Sequence, residues 1–300
     1  MRSFKMLRRI PQLVAASLLL VAAASAQTTG RPVDSKAYSS DISAITSGGN
    51  SAERGKAIQE SLKKSGIEFK TEDFTAEGRG GREIKGTNII AILPPAQKST
   101  RTIMIGAHLD RVGVGVGAID NASGTAAVLE LLRTFKAKPL ANVTVMAGFW
   151  ELEEVGLVGS RAFLANVEKG GLPSLYINFD VYGAGDTIWL WAPDEKRDFA
   201  KGFVKSARDA KFGNVVSKEY PPSDHRSFAG AGIESYSFSL GPAGEAKNII
   251  NVLNGKGDPA NFPKVLQVIH TANDTVEKID ANAVVKSLPV IEAAIRSLDK

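Results

Sequence analysis

Apolar residues fall into two kinds of run along this 300-residue chain. Five runs are short, continuous and rich in β-branched residues: Thr87 to Leu93, Thr102 to Ala107, Val143 to Phe149, Leu175 to Phe179 and Ile188 to Trp191. Between and after them the apolar positions recur at helical spacing, most clearly over Asn121 to Phe135, Leu157 to Val167, Arg197 to Lys211 and Asp280 to Leu298. An earlier helix is predicted from Ser51, where Ser51-Ala-Glu-Arg makes a polar start before Ala57, Ile58, Leu62 and Ile67, and Gly66 makes a stop. Continuous apolar strands alternating with helices predict an α/β fold. The expected form is a single domain with a mostly parallel, twisted, mixed sheet carrying helices on both faces. After Ser51 there is no internal repeat, low-complexity tract or long Pro/Ser linker, so a second folded module is not expected.

The first residues follow a different pattern. Met1 to Arg9 is cationic, Leu13 to Ala24 is apolar, and Ala24-Ser25-Ala26 has the small-x-small form of a cleavage site. Residues 1–26 are therefore expected to be a signal peptide, cut before Gln27, with the product secreted or periplasmic. The apolar run is shorter than the roughly 20 residues a spanning helix needs, so no stable membrane anchor is expected. Residues 27–50, rich in Thr, Ser, Gly and Asp, read as a loose lead-in to a catalytic domain over 51–300.

Charge gains meaning only once its location is known. The formal net charge is +5, but Arg2, Lys5, Arg8 and Arg9 lie in the expected leader. Without them 33 basic residues face 32 acidic ones, and the electrostatic case for a nucleic-acid partner disappears. There is no cysteine, which excludes disulfides and a cysteine-linked lipid.

Candidate chemistry lies just past the carboxyl ends of the predicted strands, where such sheets bind ligands. In Ile105-Gly-Ala-His-Leu-Asp, His108 and Asp110 are two residues apart and share a face in extended backbone. One can ligate a metal while the carboxylate holds the ring's other N–H. Gly117-Ala-Ile-Asp-Asn-Ala-Ser-Gly follows, with Asp120 at the entrance of a helix, a position also suited to an N-cap. The run Gly113-x-Gly115-x-Gly117 fails as a dinucleotide loop, because no acid follows at the required register. The third strand ends in Glu151, Glu153 and Glu154. The last two are neighbours, so their side chains point to opposite sides and can serve a metal and a water separately. Asn178-Phe-Asp180 and Ile269-His270-Thr-Ala-Asn-Asp274 complete the set. Two of the chain's three histidines belong to it.

Taken together, these motifs resemble the secreted di-zinc aminopeptidases, a family that also includes glutamate carboxypeptidases and glutaminyl cyclases. The resemblance spans about residues 87 to 275, and its order is His-x-Asp, Asp-Asn-x-Ser-Gly, Glu-Glu-x-Gly-Leu-x-Gly-Ser, Asp, Ser-Asp-His and His-Thr-x-x-Asp-Thr. It implies a zinc exopeptidase-like fold and two Zn²⁺ per chain, with His108 and Glu154 on different ions, Asp120 bridging them, and Asp180 and His270 completing the two sets. It further implies Glu153 as general base and Asp110 as the residue that orients His108. His225, in Ser223-Asp224-His225, would line the site without ligating. Many relatives carry an aromatic residue before the last histidine to help stabilise an oxyanion, whereas this chain has Ile269. The donor set suits zinc on chemical grounds as well, since imidazole and carboxylate ligands with open positions are typical of catalytic zinc.

The expected function is a metallo-exopeptidase that removes N-terminal residues from peptides, with Glu153 and Asp180 available to a free α-amine. Two alternatives belong to other classes: a glutaminyl cyclase-type acyltransferase with one operating zinc, and a catalytically silent binding protein. A family carboxypeptidase would need basic groups for the substrate carboxylate, and Arg111 or Arg226 could supply them. Oligomeric state has no signature in the sequence.

Overall fold

The protein is described by a computed structural model over residues 33–168 and 171–300; the expected leader lies outside the described residues. The elements run α1 (Ser35–Thr46), α2 (Ser51–Lys64), β1 (Phe69–Glu77), β2 (Glu83–Leu93), β3 (Thr102–His108), α3 (Ser123–Ala137), β4 (Thr144–Trp150) and α4 (Val158–Asn166). They continue through β5 (Leu175–Phe179), β6 (Thr187–Trp191), α5 (Asp198–Asp209), β7 (Gly213–Ser217), α6 (His225–Gly230), β8 (Glu234–Gly241), α7 (Glu245–Leu253) and α8 (Ala281–Arg296).

All eight strands form one sheet in the order β1-β2-β4-β3-β5-β8-β6-β7. The central strands β4, β3, β5 and β8 are mutually parallel, while β1 and β2 form an antiparallel hairpin on one side and β6 pairs antiparallel with β8 on the other. The continuous apolar runs are explained by double-sided burial. On β3, Ile103 and Ile105 point into the larger core with Phe135 of α3 and Phe203 of α5, while Met104 between them points into a second core with Trp150, Phe163 and Phe228. Helices α1, α2, α3, α5 and α8 cover the first face, and α4 and α6 cover the second.

One expectation is corrected. Residues 27–50 are not all lead-in, because α1 puts Tyr38, Ile42 and Ile45 into the main core. Only three apolar side chains anchor this helix among serines, so its period is short and easily missed. Strands β1, β7 and β8 also escaped the apolar-run criterion. In β8 the buried positions include Ser235 and Ser237, which break the continuous apolar pattern.

Candidate active site

Three neighbouring parallel strands deliver the predicted residues to one edge of the sheet. His108 ends β3, Glu153 and Glu154 follow β4, and Asp180 follows β5. Asp120 comes from the turn before α3, and His270 from the irregular segment between α7 and α8. All five predicted ligands and Glu153 line one cleft of about 330 Å³.

Asp120 is the centre of the arrangement. Its Oδ1 lies 3.1 Å from His108 Nε2 and its Oδ2 lies 3.1 Å from His270 Nε2. Asp180 Oδ1 lies 3.5 Å from the same nitrogen of His108, and Glu154 Oε2 lies 3.2 Å from that of His270. One carboxylate thus joins two donor sets, His108 with Asp180 and His270 with Glu154. Asp120 is not the cap of α3, whose N-cap position is Ala122; Asn121 just before it accepts the Gly124 N–H through Oδ1 at 3.0 Å and donates from Nδ2 to Phe179 O at 2.9 Å. Gly124 is required there, since a Cβ would stand 2.4 Å from Asn121 Oδ1 and 2.5 Å from Phe179 O.

Asp110 has the orienting place expected of it, with Oδ1 3.3 Å from His108 Nδ1. It also does something the sequence did not suggest. Its two oxygens accept the backbone N–H groups of Glu153 and Glu154, each at 3.2 Å, so one buried carboxylate fixes both the histidine and the glutamate pair. Glu151, which had no assigned role, turns away and accepts the Thr87 N–H at 2.6 Å. Backbone strain gathers at the same edge: Leu152, Val181 and His270 have φ of 61°, 54° and 58°. Left-handed backbone at non-glycine residues costs on the order of 1–3 kcal/mol each, and β-branched Val181 is the least suited to it.

Electrostatics show what the donors are suited to hold. Histidine nitrogens and carboxylate oxygens converge at 3.1–3.5 Å, which for neutral imidazole acceptors is repulsive unless a proton or a cation lies between. Burial opposes a charge on His108, yet Glu153, Asp110, Asp120 and Asp180 together hold its pKa well above the usual value. His270 is pushed up to about 9, chiefly by Asp120. Burial, reinforced by nearby carboxylates, raises Glu153 to about 9 and Glu154 to about 7. Glu154 Oε1 and Asp180 Oδ1 are buried without a hydrogen-bond partner. This is the signature of a donor set built for cations, and the chemistry of the donors fits zinc.

A family model, Peptidase family M28, matches residues 88–295. The chain belongs to peptidase family M28. Leupeptin-inactivating enzyme 1 of Streptomyces exfoliatus is 34% identical over 215 residues, covering 66% of this chain and 47% of that protein. The M28 chain spans 43–47% of the length of the first curated relatives it matches. Among solved structures, the fold is similar to that of BSAP, a zinc aminopeptidase from Bacillus subtilis (TM-score 0.72, 17% identity, 88% of this chain and 94% of that one). It is equally similar to a glutaminyl cyclase from Bacteroides thetaiotaomicron (TM-score 0.71, 19% identity, 89% and 99%).

Further parts of this M28 site had no clear sequence signal. Asp274, visible only as part of a motif, accepts the N–H groups of Ile119 and Asp120 at 2.6 and 3.2 Å and so ties the bridging residue to the His270 segment. A buried chain from Trp150 Nε1 to Tyr176 OH (2.8 Å), on to Asn178 Oδ1 (2.9 Å), and from Asn178 Nδ2 to Ser223 Oγ (2.9 Å) supports the Ser-Asp-His segment from below. His225 is buried against Trp191 and Tyr220, with its pKa lowered to about 3 by burial and by Arg226, and it does not line the cleft. Nor do Arg111, which donates to Val112 O and Gly49 O, or Arg226, which lies over Trp191. Much of the remaining wall is apolar, built by Trp189, Tyr220, Ala246, Ile249 and Val265, and Lys264 and Lys278 also line the cleft.

Proposed function

We propose that this M28 chain is an exported metallo-exopeptidase that removes N-terminal residues from peptides, with two zinc ions per chain held by His108, Asp120, Glu154, Asp180 and His270. The observation that carries this reading is the placement of Asp120, whose two oxygens face two different histidines at 3.1 Å. When bound, the ions supply Lewis acidity, activating a water and polarising the scissile carbonyl.

The protein's own groups do the rest. Glu153 takes the proton of the attacking water and returns it to the leaving amine, general base first and general acid second. Burial and neighbouring carboxylates raise its pKa to about 9, and positive charge nearby lowers a carboxyl group's pKa towards the range a general base needs. Asp110 fixes the Glu153 backbone, so the base is held by the residue that also orients His108. A substrate's free α-amine finds carboxylates at Glu153 and Asp180, and its side chain meets the apolar wall of Trp189, Tyr220 and Ile249. Arg111 and Arg226 do not line the cleft, whereas Lys264 and Lys278 do, so the preference for an aminopeptidase over a carboxypeptidase rests on the carboxylates that meet the α-amine. Export rests on the leader pattern of residues 1–26; among the described residues, no helix is long and apolar enough to cross a membrane.

The test is zinc content together with a substrate panel, on protein beginning at Gln27. Two zinc ions per chain and hydrolysis of aminoacyl amides are expected. One zinc with cyclisation of N-terminal glutamine peptides would replace the reading with a cyclase, and folded protein that binds no zinc would end it.

A further inference from the structure

Arg54 is the largest charged side chain fully buried among the described residues, and the chemistry above gives it nothing to do. It projects from the first turn of α2, and all of its hydrogen bonds go to backbone carbonyls. Nε donates to Leu109 O at 2.5 Å, Nη1 to Val116 O at 2.9 Å and Nη2 to Gly117 O at 3.3 Å. Leu109 stands between His108 and Asp110, and Gly117 is three residues before Asp120. One planar fork therefore holds both ends of the loop that connects the first histidine to the bridging carboxylate.

The rest of that loop is fitted to the same purpose. Val116 N–H donates to Asp274 O at 2.9 Å, and Leu109 N–H donates to Trp150 O at 2.7 Å. Gly115, at φ 71°, lies so close to the His270 segment that a Cβ would stand 2.5 Å from Thr271 O. A buried charge is costly, and here it is offset by three carbonyls and by the longer-range pull of Asp110, Asp120 and Asp274. Burial and Arg111 lower the guanidinium pKa to about 10, which leaves it charged at neutral pH.

The geometry points to Arg54 as a positioning residue that sets loop 109–117, and with it the placement of His108 against Asp120, before any metal arrives. The inference rests on reading His108 and Asp120 as metal ligands. Lysine keeps the charge but has no planar fork, so it cannot span three carbonyls in the same way.

The experiment compares the parent protein with Arg54→Lys and Arg54→Met, measuring zinc affinity by competition with a chromogenic chelator, together with kcat and KM. In folded Arg54→Lys protein, zinc binding should weaken by about 10-fold or more, the size of effect seen when groups that orient metal ligands are lost. kcat should fall while KM changes little. A residue that only supported the fold would lower Tm and leave the zinc affinity of folded molecules unchanged. Folded Arg54→Lys protein with the parent's zinc affinity and kcat overturns the inference. If neither variant folds, hydrogen exchange on the unaltered, zinc-stripped protein decides. Protection of the Leu109 and Val116 amides without zinc is expected, and exchange at the rate of an unstructured chain overturns the inference. A parent protein that binds no zinc would instead sink the functional reading itself.

Discussion

His108 and His270 approach the two oxygens of one carboxylate at the same 3.1 Å, yet they are held in opposite ways. His108 ends a central strand, its side chain is 2% exposed, Asp110 stands at its second nitrogen, and its carbonyl accepts the Thr125 hydroxyl at 3.0 Å. His270 sits on irregular backbone at φ 58°, and its side chain is 53% exposed. Among the described residues, its side chain meets Asp120 and Glu154, both through Nε2. The difference teaches that two donor sets sharing one carboxylate need not be equivalent. The half built on the sheet is set by the core, whereas the other depends on a segment that the site itself helps to hold. Metal at His108 and Asp180 is expected to bind more tightly than metal at His270 and Glu154.

The comparison breaks most completely at the residue both halves share. Asp120→Ala should abolish binding in both and lower kcat/KM by at least about 10³-fold, because several kcal/mol of charge stabilisation go with the ions. Elemental analysis and steady-state kinetics on the same sample check it. Glu153→Gln should keep both ions and lower kcat by about 10²- to 10⁴-fold, the usual worth of a general base. Loss of zinc from that variant would assign Glu153 to the wrong job.

Substituting each histidine separates the halves. His270→Ala should retain one tightly bound zinc, while His108→Ala should retain one that dialysis removes. Equal retention in the two variants would show that the halves are equivalent after all. Asp110→Asn should weaken zinc in both halves by about 10- to 100-fold, because Asp110 stands at His108 Nδ1 and also accepts the Glu154 N–H.

The smallest effect is on stability against pH in zinc-stripped protein. Glu153 rises from its ordinary 4.5 to about 9, and His270 from 6.5 to about 9. Between those limits the folded state binds more protons than the unfolded chain, so both contributions are present at low pH and are lost as pH rises. Tm of the stripped protein should therefore fall from pH 6.5 to 9, and zinc should flatten the slope. A stripped protein whose Tm rises over that range would contradict the charge balance described here.

Much of the site was legible in sequence because its chemistry tolerates few residue types. A carboxylate or imidazole immediately after a buried apolar strand is costly unless it is used, so His108, Glu153, Glu154 and Asp180 carry a signal as a set, although His108 with Asp110 is weak alone and Asp180 is nondescript. The strands that carry them were legible for the same reason, being buried on both faces. Other parts had no comparable signal. Arg54 lies in an ordinary amphipathic helix start, and nothing local says that its side chain reaches residues 109–117. Asp274 binds backbone N–H groups about 150 residues away in sequence, a contact set by the fold alone. The apolar wall draws Trp189, Tyr220 and Ile249 from separate elements, and apolar side chains in a pocket look like apolar side chains in a core. The helix α1 was hidden by its serines, and β8 by the Ser235 and Ser237 that interrupt its apolar face.

The central claim is that Asp120 joins two unequal metal sites, and calorimetric titration of zinc into the stripped protein tests it most directly. Two binding events of different affinity are predicted, with the weaker lost in His270→Ala and both lost in Asp120→Ala. A single event of one zinc per chain, unchanged by His270→Ala, would contradict it.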